Sequence, residues 1–306
     1  MRLPLLLGLA LVVACGLATA SVHAGQTPRP IVMWHGMGDN CCSKHSMDMI
    51  AGIIKDHIPG VYIYSVMIGS SPAEDTAAGF FGNMNSQVAT VCDHIANDPQ
   101  LANGFNLLGF SQGGQLLRGV VERCAHKLPP MHNLITYGGQ HQGVSEIPNC
   151  EPTSELCQNA AKLAGMGVYL PWIRDHIVQA QYFLDPFDYD AYLKYNQYMA
   201  DINNQRAEKN PLYKANLLTL NKLILVRFNN DTIVIPRASE HFGRYALGTM
   251  DRIVPMTETP LYQEDWIGLQ ELNNSSRLLL LDTPGEHMQI DIDDFVNNVV
   301  KPYLDN

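Results

Sequence analysis

The sequence predicts an α/β fold: a mostly parallel sheet covered by helices on both faces. Three observations predict it. Short apolar runs at 30–34, 61–68, 105–110, 133–137, 222–228 and 277–281 alternate with stretches of helical spacing. Several of these runs stop at glycine-containing turns, as at His35-Gly36-Met37-Gly38 and Gly138-Gly139. The run ending at Phe110 passes through Gly109-Phe110-Ser111-Gln112-Gly113 straight into a helical stretch. That is a strand, a sharp turn and a helix.

The first of these elements is residues 30–34, a buried strand leading into His35-Gly36-Met37-Gly38-Asp39. A strand followed by His-Gly and a second glycine suits a loop whose backbone N–H must approach a developing negative charge. Met37 is the expected donor there, with Gln112 supplying the second N–H. His35 competes for the role of base, but a histidine placed before glycine this early is expected to brace the loop. Residues 47–58 then read as an amphipathic helix, 61–68 as a strand and 69–83, with its Ser, Pro and Gly, as a loop. A helix over 85–95 leads to the strand before Ser111. At such a turn the serine takes a strained backbone that flanking glycines leave room for, and its hydroxyl is thrust above the strand ends as a nucleophile.

Between Gly143 and about Leu220 the pattern changes. Helical spacing dominates, no strand is evident, and Tyr169, Trp172, Tyr182, Phe183, Phe187, Tyr189, Tyr192, Tyr195 and Tyr198 crowd the stretch. A helical cap over about 143–220, inserted before the sheet resumes, is expected to lie over the strand ends. Most of its aromatics are expected to form its own small core, with a few facing the site. The sheet resumes at 222–228, stopping at Asn229-Asn230-Asp231-Thr232, and the run 277–281 stops at Asp282-Thr283-Pro284-Gly285-Glu286-His287.

Chain order then assigns roles. A serine after one strand, an acid after a later one and a histidine after the last is the order of hydrolases built on this turn, and Ser111, Asp231 and His287 satisfy it. Asp282 competes for the acid role, but the loop to His287 would have to fold back on itself. His241 competes for the base role without a strand close before it.

Composition bounds the class. The chain has 306 residues, 46% of them hydrophobic, enough for one large domain or two ordinary ones with a real core. A net charge of −10 with no basic run argues against a nucleic-acid partner. Arg2, an apolar run over 3–17 and the small residues Ala18-Thr19-Ala20 and Val22-His23-Ala24 read as a signal peptide over residues 1–24, cleaved after 20 or 24. The apolar run is short for a bilayer span, so no transmembrane anchor is expected. No terminal Lys-Asp-Glu-Leu-type signal argues for retention in the first secretory compartment.

Six cysteines remain beyond that segment: Cys41, Cys42, Cys92, Cys124, Cys150 and Cys157. An even number in an oxidising route points to disulfides. Cys92 shares a helical stripe with Val88, Val91 and Ile95, so it could staple its helix to the one bearing Cys124. Cys150 and Cys157 would close a small loop, leaving Cys41 and Cys42 to each other. No Cys-x-x-Cys is present, which disfavours a metal or thioredoxin-like site, and no cofactor is expected. Sequons at Asn230, Asn273 and Asn274 are expected glycan acceptors.

Four segments together, His35-Gly36-Met37-Gly38-Asp39 followed by Cys41-Cys42, Gly109-Phe110-Ser111-Gln112-Gly113-Gly114, Tyr137-Gly138-Gly139-Gln140-His141-Gln142-Gly143 and Ala200-Asp201-Ile202-Asn203, resemble the lysosomal palmitoyl-protein thioesterases. The resemblance spans nearly the whole chain after residue 24. It implies an α/β-hydrolase fold, Ser111 as nucleophile, Asp231 as acid, His287 as base, Met37 and Gln112 as oxyanion donors, and the pairs Cys41–Cys42, Cys92–Cys124 and Cys150–Cys157. It also implies S-palmitoylated proteins and peptides as substrates, a glycan-dependent sorting receptor, and residence in the lysosome with some secretion. An apolar groove between cap and sheet, walled in part by Ile233, Val234 and Ile235, is the expected acyl site, although these three equally suit an ordinary core. At about 0.8 kcal/mol per buried CH₂, a sheltered palmitoyl chain contributes on the order of 10 kcal/mol, so chain length is expected to outweigh peptide sequence. A secreted lipase or lysophospholipase on the same scaffold, and a non-catalytic binding protein that keeps the fold, are the rival readings.

Overall fold

The computed structural model describes residues 27–146 and 167–305. The expected signal peptide and the Cys150–Cys157 pair fall outside the described residues. One sheet runs in the order β2-β1-β3-β4-β5-β8, every neighbour parallel. Its strands are β1 (Ile31–Trp34), β2 (Ile63–Ser65), β3 (Phe105–Phe110), β4 (Met131–Tyr137) and β5 (Lys222–Phe228), with β8 (Leu278–Thr283) at the far edge. Between β5 and β8 a small antiparallel ribbon pairs β6 (Arg244–Tyr245) with β7 (Ile253–Val254).

The pleat sends alternate residues to opposite faces, and each face has its own core. Val32, Trp34, Leu107 and Leu225 pack with Val88, Val91, Leu116 and Val120 of helices α3 (Met84–Asn97) and α4 (Gln112–Cys124). Ile31, Met33, Leu108 and Val226 pack on the other side with Ile50 and Ile54 of α1 (Met47–His57) and with Phe295 and Val299 of the C-terminal helix. Strand β3, covered on both faces, is buried throughout, whereas the edge strand β8 is buried only at Leu278 and Thr283 and alternates half-buried Leu279 and Leu281 with exposed Leu280 and Asp282.

Two sequence expectations need correction. The strand expected over 61–68 is reduced to Ile63–Ser65, because β2 is an edge whose one neighbour, β1, is only four residues long. The stretch 69–83, expected to be a loop, contains α2 (Pro72–Ala78). Ser71 caps it by accepting from the Glu74 N–H, and Pro72 stands at the first helical position, where its missing N–H costs nothing.

Between β4 and β5 the described residues form helices α5 (Pro171–His176), α6 (Tyr189–Tyr195), α7 (Met199–Ile202) and α8 (Pro211–Leu217). Arg118, fully buried on α4, ties this segment to the sheet. It donates to Glu122 Oε1 and Asn203 Oδ1, both at 2.8 Å, and to the His141 carbonyl at 3.3 Å. A buried guanidinium needs such partners, which explains why the polar side chains of Glu122 and Asn203 sit in apolar surroundings. Among the described residues two disulfides are present, Cys41–Cys42 and Cys92–Cys124, the second joining α3 to α4.

Candidate active site

Chain direction across the sheet reverses between β2 and β3, which flank β1 on opposite sides. The C-terminal ends of strands beside such a reversal open a crevice, and the loops after β1, β3, β5 and β8 carry Met37, Ser111, Asp231 and His287.

Ser111 has φ 49° and ψ −121°, left-handed backbone that a serine adopts only under constraint. Its N–H donates to the Tyr137 carbonyl at 2.6 Å. The neighbouring glycines make the turn sterically feasible: a Cβ on Gly113 would stand 2.2 Å from the Trp34 carbonyl oxygen, and one on Gly109 would stand 2.5 Å from Gly114 Cα. The turn therefore sits directly against β1.

Three side chains meet there. His287 Nε2 is 2.8 Å from Ser111 Oγ, and His287 Nδ1 is 2.5 Å from Asp231 Oδ2. The Gln140 amide donates to Ser111 Oγ at 3.0 Å, so the hydroxyl proton is left to point at His287 Nε2 and the ring carries its own proton on Nδ1. Asp231 is buried, and its Oδ1 accepts the N–H groups of Ile233 at 2.7 Å and Val234 at 2.8 Å. Burial by itself would raise this carboxyl. The His287 hydrogen bond and charge, with the two N–H groups, outweigh it and hold Asp231 below its ordinary value.

Met37 and Gly36 line the same crevice as Ser111; a Cβ on Gly36 would stand 3.1 Å from Ser111 Cβ. His35 braces this loop, with Nδ1 2.8 Å from the Gly36 carbonyl and Nε2 3.0 Å from Asp75 Oδ1. Asp75, on the unexpected helix α2, also accepts from the Cys41 and Ile68 N–H groups at 2.8 Å each. Burial pulls the His35 imidazole down, but the hydrogen bond and charge of Asp75 prevail, and it titrates above its ordinary value. The Gln112 side chain accepts from Gln179 and from the Tyr182 hydroxyl, both at 3.3 Å, so part of the segment between β4 and β5 reaches the turn.

The rival residues lie elsewhere. Asp282 pairs with Arg227 at 2.8 Å, and His241 Nε2 faces the Leu225 and Leu281 carbonyls at 3.1 Å. Gln140 and Gln115, which donates to Gln140 Oε1 at 2.9 Å, received no role from the sequence. The available signal was a glutamine directly after a glycine in each case, Gly114-Gln115 and Gly139-Gln140, next to the turns that end β3 and β4.

A cavity of about 500 Å³ opens on Ser111 and His287, with Met37, Met49, Ile50, Ile233 and Ile290 on its wall. It lies on the α1 side. Of the three expected groove residues, Ile233 is on this wall, Val234 is 1% exposed in the interior, and the Ile235 carbonyl accepts from the Ser145 N–H.

A doubly covered parallel sheet whose strained strand-to-helix turn holds a serine hydrogen-bonded to a histidine on the loop after the last strand is the α/β-hydrolase fold. Residues 30–287 match the family profile described as palmitoyl protein thioesterase, and the chain belongs to that family of thioester hydrolases. It is 45% identical over 288 residues to palmitoyl-protein thioesterase 1 of Caenorhabditis elegans, covering 94% of this chain and 96% of that one. It is 35% identical to palmitoyl-protein thioesterase 3 of Dictyostelium discoideum, covering 97% and 98%. A lysosomal thioesterase PPT2 homolog of Drosophila melanogaster is 29% identical, covering 94% and 96%.

Proposed function

We propose that the chain removes palmitate and similar long acyl groups from cysteine residues of S-acylated proteins and peptides, using Ser111, His287 and Asp231. The observation that carries this reading is the continuous relay from Ser111 Oγ through His287 to Asp231, at 2.8 and 2.5 Å. His287 takes the Ser111 proton as Oγ attacks the thioester carbonyl, and the Met37 and Gln112 N–H groups hold the oxyanion. The C–S bond breaks, the thiolate leaves with the proton from His287, and an acyl-serine remains. Water, deprotonated by neutral His287, then releases the fatty acid. A thiol's reference pKa near 8.5 makes it a good leaving group, so acylation needs little acid assistance. Deacylation depends on neutral histidine and is the step that acidity slows.

The proposed compartment is the lysosome, reached by the secretory route. Relatives named lysosomal thioesterases, the leader-like residues 1–24 and the disulfides support it. The acceptors Asn230, Asn273 and Asn274 are exposed, as sugars read by a sorting receptor require. The proposed acyl site is the cavity beside Ser111, walled in part by Ile233 and, from α1, by Met49 and Ile50.

The test is thiol release from an S-palmitoyl-cysteine peptide by wild type and Ser111→Ala, beside a matched palmitoyl oxygen ester and a lysophospholipid. Thioester preference by wild type and loss of turnover in the variant are expected. Preference for the lipid would make the enzyme a lysophospholipase, and full activity of the variant would remove Ser111 from the mechanism.

A further inference from the structure

A second carboxyl stands behind Asp231. Glu240, on the turn Arg237–His241, is 1% exposed, and its Oε2 accepts the Phe228 N–H at 3.0 Å. Its carboxyl also lies within hydrogen-bonding distance of the Asp231 carboxyl, and its Oε1 has no donor partner. Two carboxylates in contact repel unless one proton lies between them. The location of that proton follows from the donors already present. Asp231 accepts from His287, Ile233 and Val234, three donors that favour its ionised form. On Glu240, Oε2 is taken as an acceptor, which leaves Oε1 to carry the proton.

We propose that Glu240 is a neutral carboxylic acid that donates a hydrogen bond to Asp231 and thereby acts as a positioning residue for the Asp231–His287 pair. The proposal rests on the reading of Ser111, His287 and Asp231 as the reacting groups. Burial and the Asp231 charge push the Glu240 carboxyl up to about 10, against the opposing pull of the Phe228 N–H and Arg227. The charged and titratable neighbours are few. Asp231 and His287 lie on one side, Arg227 with its partner Asp282 on β5 and β8, and His241 follows in the chain. With an extra donor on Asp231, its charge is partly spent and it holds an imidazolium less tightly. The consequence is a histidine that stays neutral, and so able to activate water, further into the acid range.

The experiment compares Glu240→Gln and Glu240→Ala with wild type: kcat and KM on the S-palmitoyl peptide from pH 4 to 8, and the infrared carbonyl band of a protonated carboxylic acid. Glutamine can accept from Phe228 and donate to Asp231, so it is expected to recover most of kcat and keep the acid limb in place. Alanine is expected to lower kcat about tenfold or more, since a hydrogen bond to a charged group is lost, to leave KM unchanged, and to move the acid limb to higher pH. A protonated-carboxyl band present in wild type and lost in Glu240→Gln is expected, and this readout does not require activity or the alanine variant to fold. Absence of the band, a glutamine variant as impaired as alanine, or an alanine variant that changes thermal stability alone would each overturn the proposal. Ser111→Ala serves as the control: activity retained there, with the band intact, would sink the relay reading and leave the protonated Glu240 standing.

Discussion

The Tyr198 hydroxyl occupies the space that a side chain on Gly119 would take: a Cβ there would stand 2.3 Å from it. Tyr198 is fully buried and donates to the Gln115 carbonyl at 2.8 Å, so this contact locks the segment between β4 and β5 onto the helix that follows Ser111. Gly119→Ala sets two effects against each other. Helix propensity favours alanine by up to about 1 kcal/mol, while overpacking a dense core costs about 1–3 kcal/mol. Overpacking is expected to win, and the melting temperature should fall. Adding Tyr198→Phe removes the oxygen in the way, so the double variant should lose less than the two single losses added together. Simple additivity in that cycle would refute the steric account.

The His35–Asp75 pair predicts a pH-dependent contribution to stability. His35 titrates above its ordinary 6.5 in the folded chain. Its contribution is therefore complete below that value and is lost as pH rises through the folded value. The stability gap between wild type and Asp75→Asn should be wider at pH 5 than at pH 8, as read from urea unfolding. A gap of constant size would mean that His35 does not carry the charge.

Glu240 gives a second dependence of the same sign. Its folded value, about 10, lies above the ordinary 4.5, so the proton it keeps on folding stabilises the chain fully below about 4.5. That contribution is lost as pH rises toward the folded value, at up to about 1.4 kcal/mol per pH unit. Between pH 5 and 8 wild type should lose stability relative to Glu240→Gln, which has no proton to keep. Parallel curves for the two proteins would contradict a neutral Glu240.

Ile233 tests the acyl site. If it walls the acyl chain, Ile233→Asp should flatten the preference for long chains, since each sheltered methylene is worth about fourfold in kcat/KM. Activity on a two-carbon thioester should change far less. An unaltered ratio of sixteen- to eight-carbon turnover would place the chain elsewhere.

Much of the fold was legible because a parallel sheet leaves a strong trace. Strands covered on both faces are apolar along most of their length, as Phe105–Phe110 is apart from Asn106, and their ends are marked by the turns that the site needs. The helix α2 was hidden by residue types that also make loops. Its capping pattern, Ser71-Pro72 followed by Glu74, was nonetheless present. The short edge strand β2 could not be sized from sequence, because the length of a ladder is set by its neighbour.

The order of Ser111, Asp231 and His287, each just past a strand, follows from chain connectivity, and connectivity is what a sequence records. Which polar groups support them does not. Gln140 reaches Ser111 from the loop after β4, Asp75 reaches His35 across 40 residues, and Glu240 meets Asp231 from the far side of a turn. Partners of this kind are chosen by packing: a buried polar atom must find a donor or acceptor within about 3 Å, and only the folded chain determines which one is there.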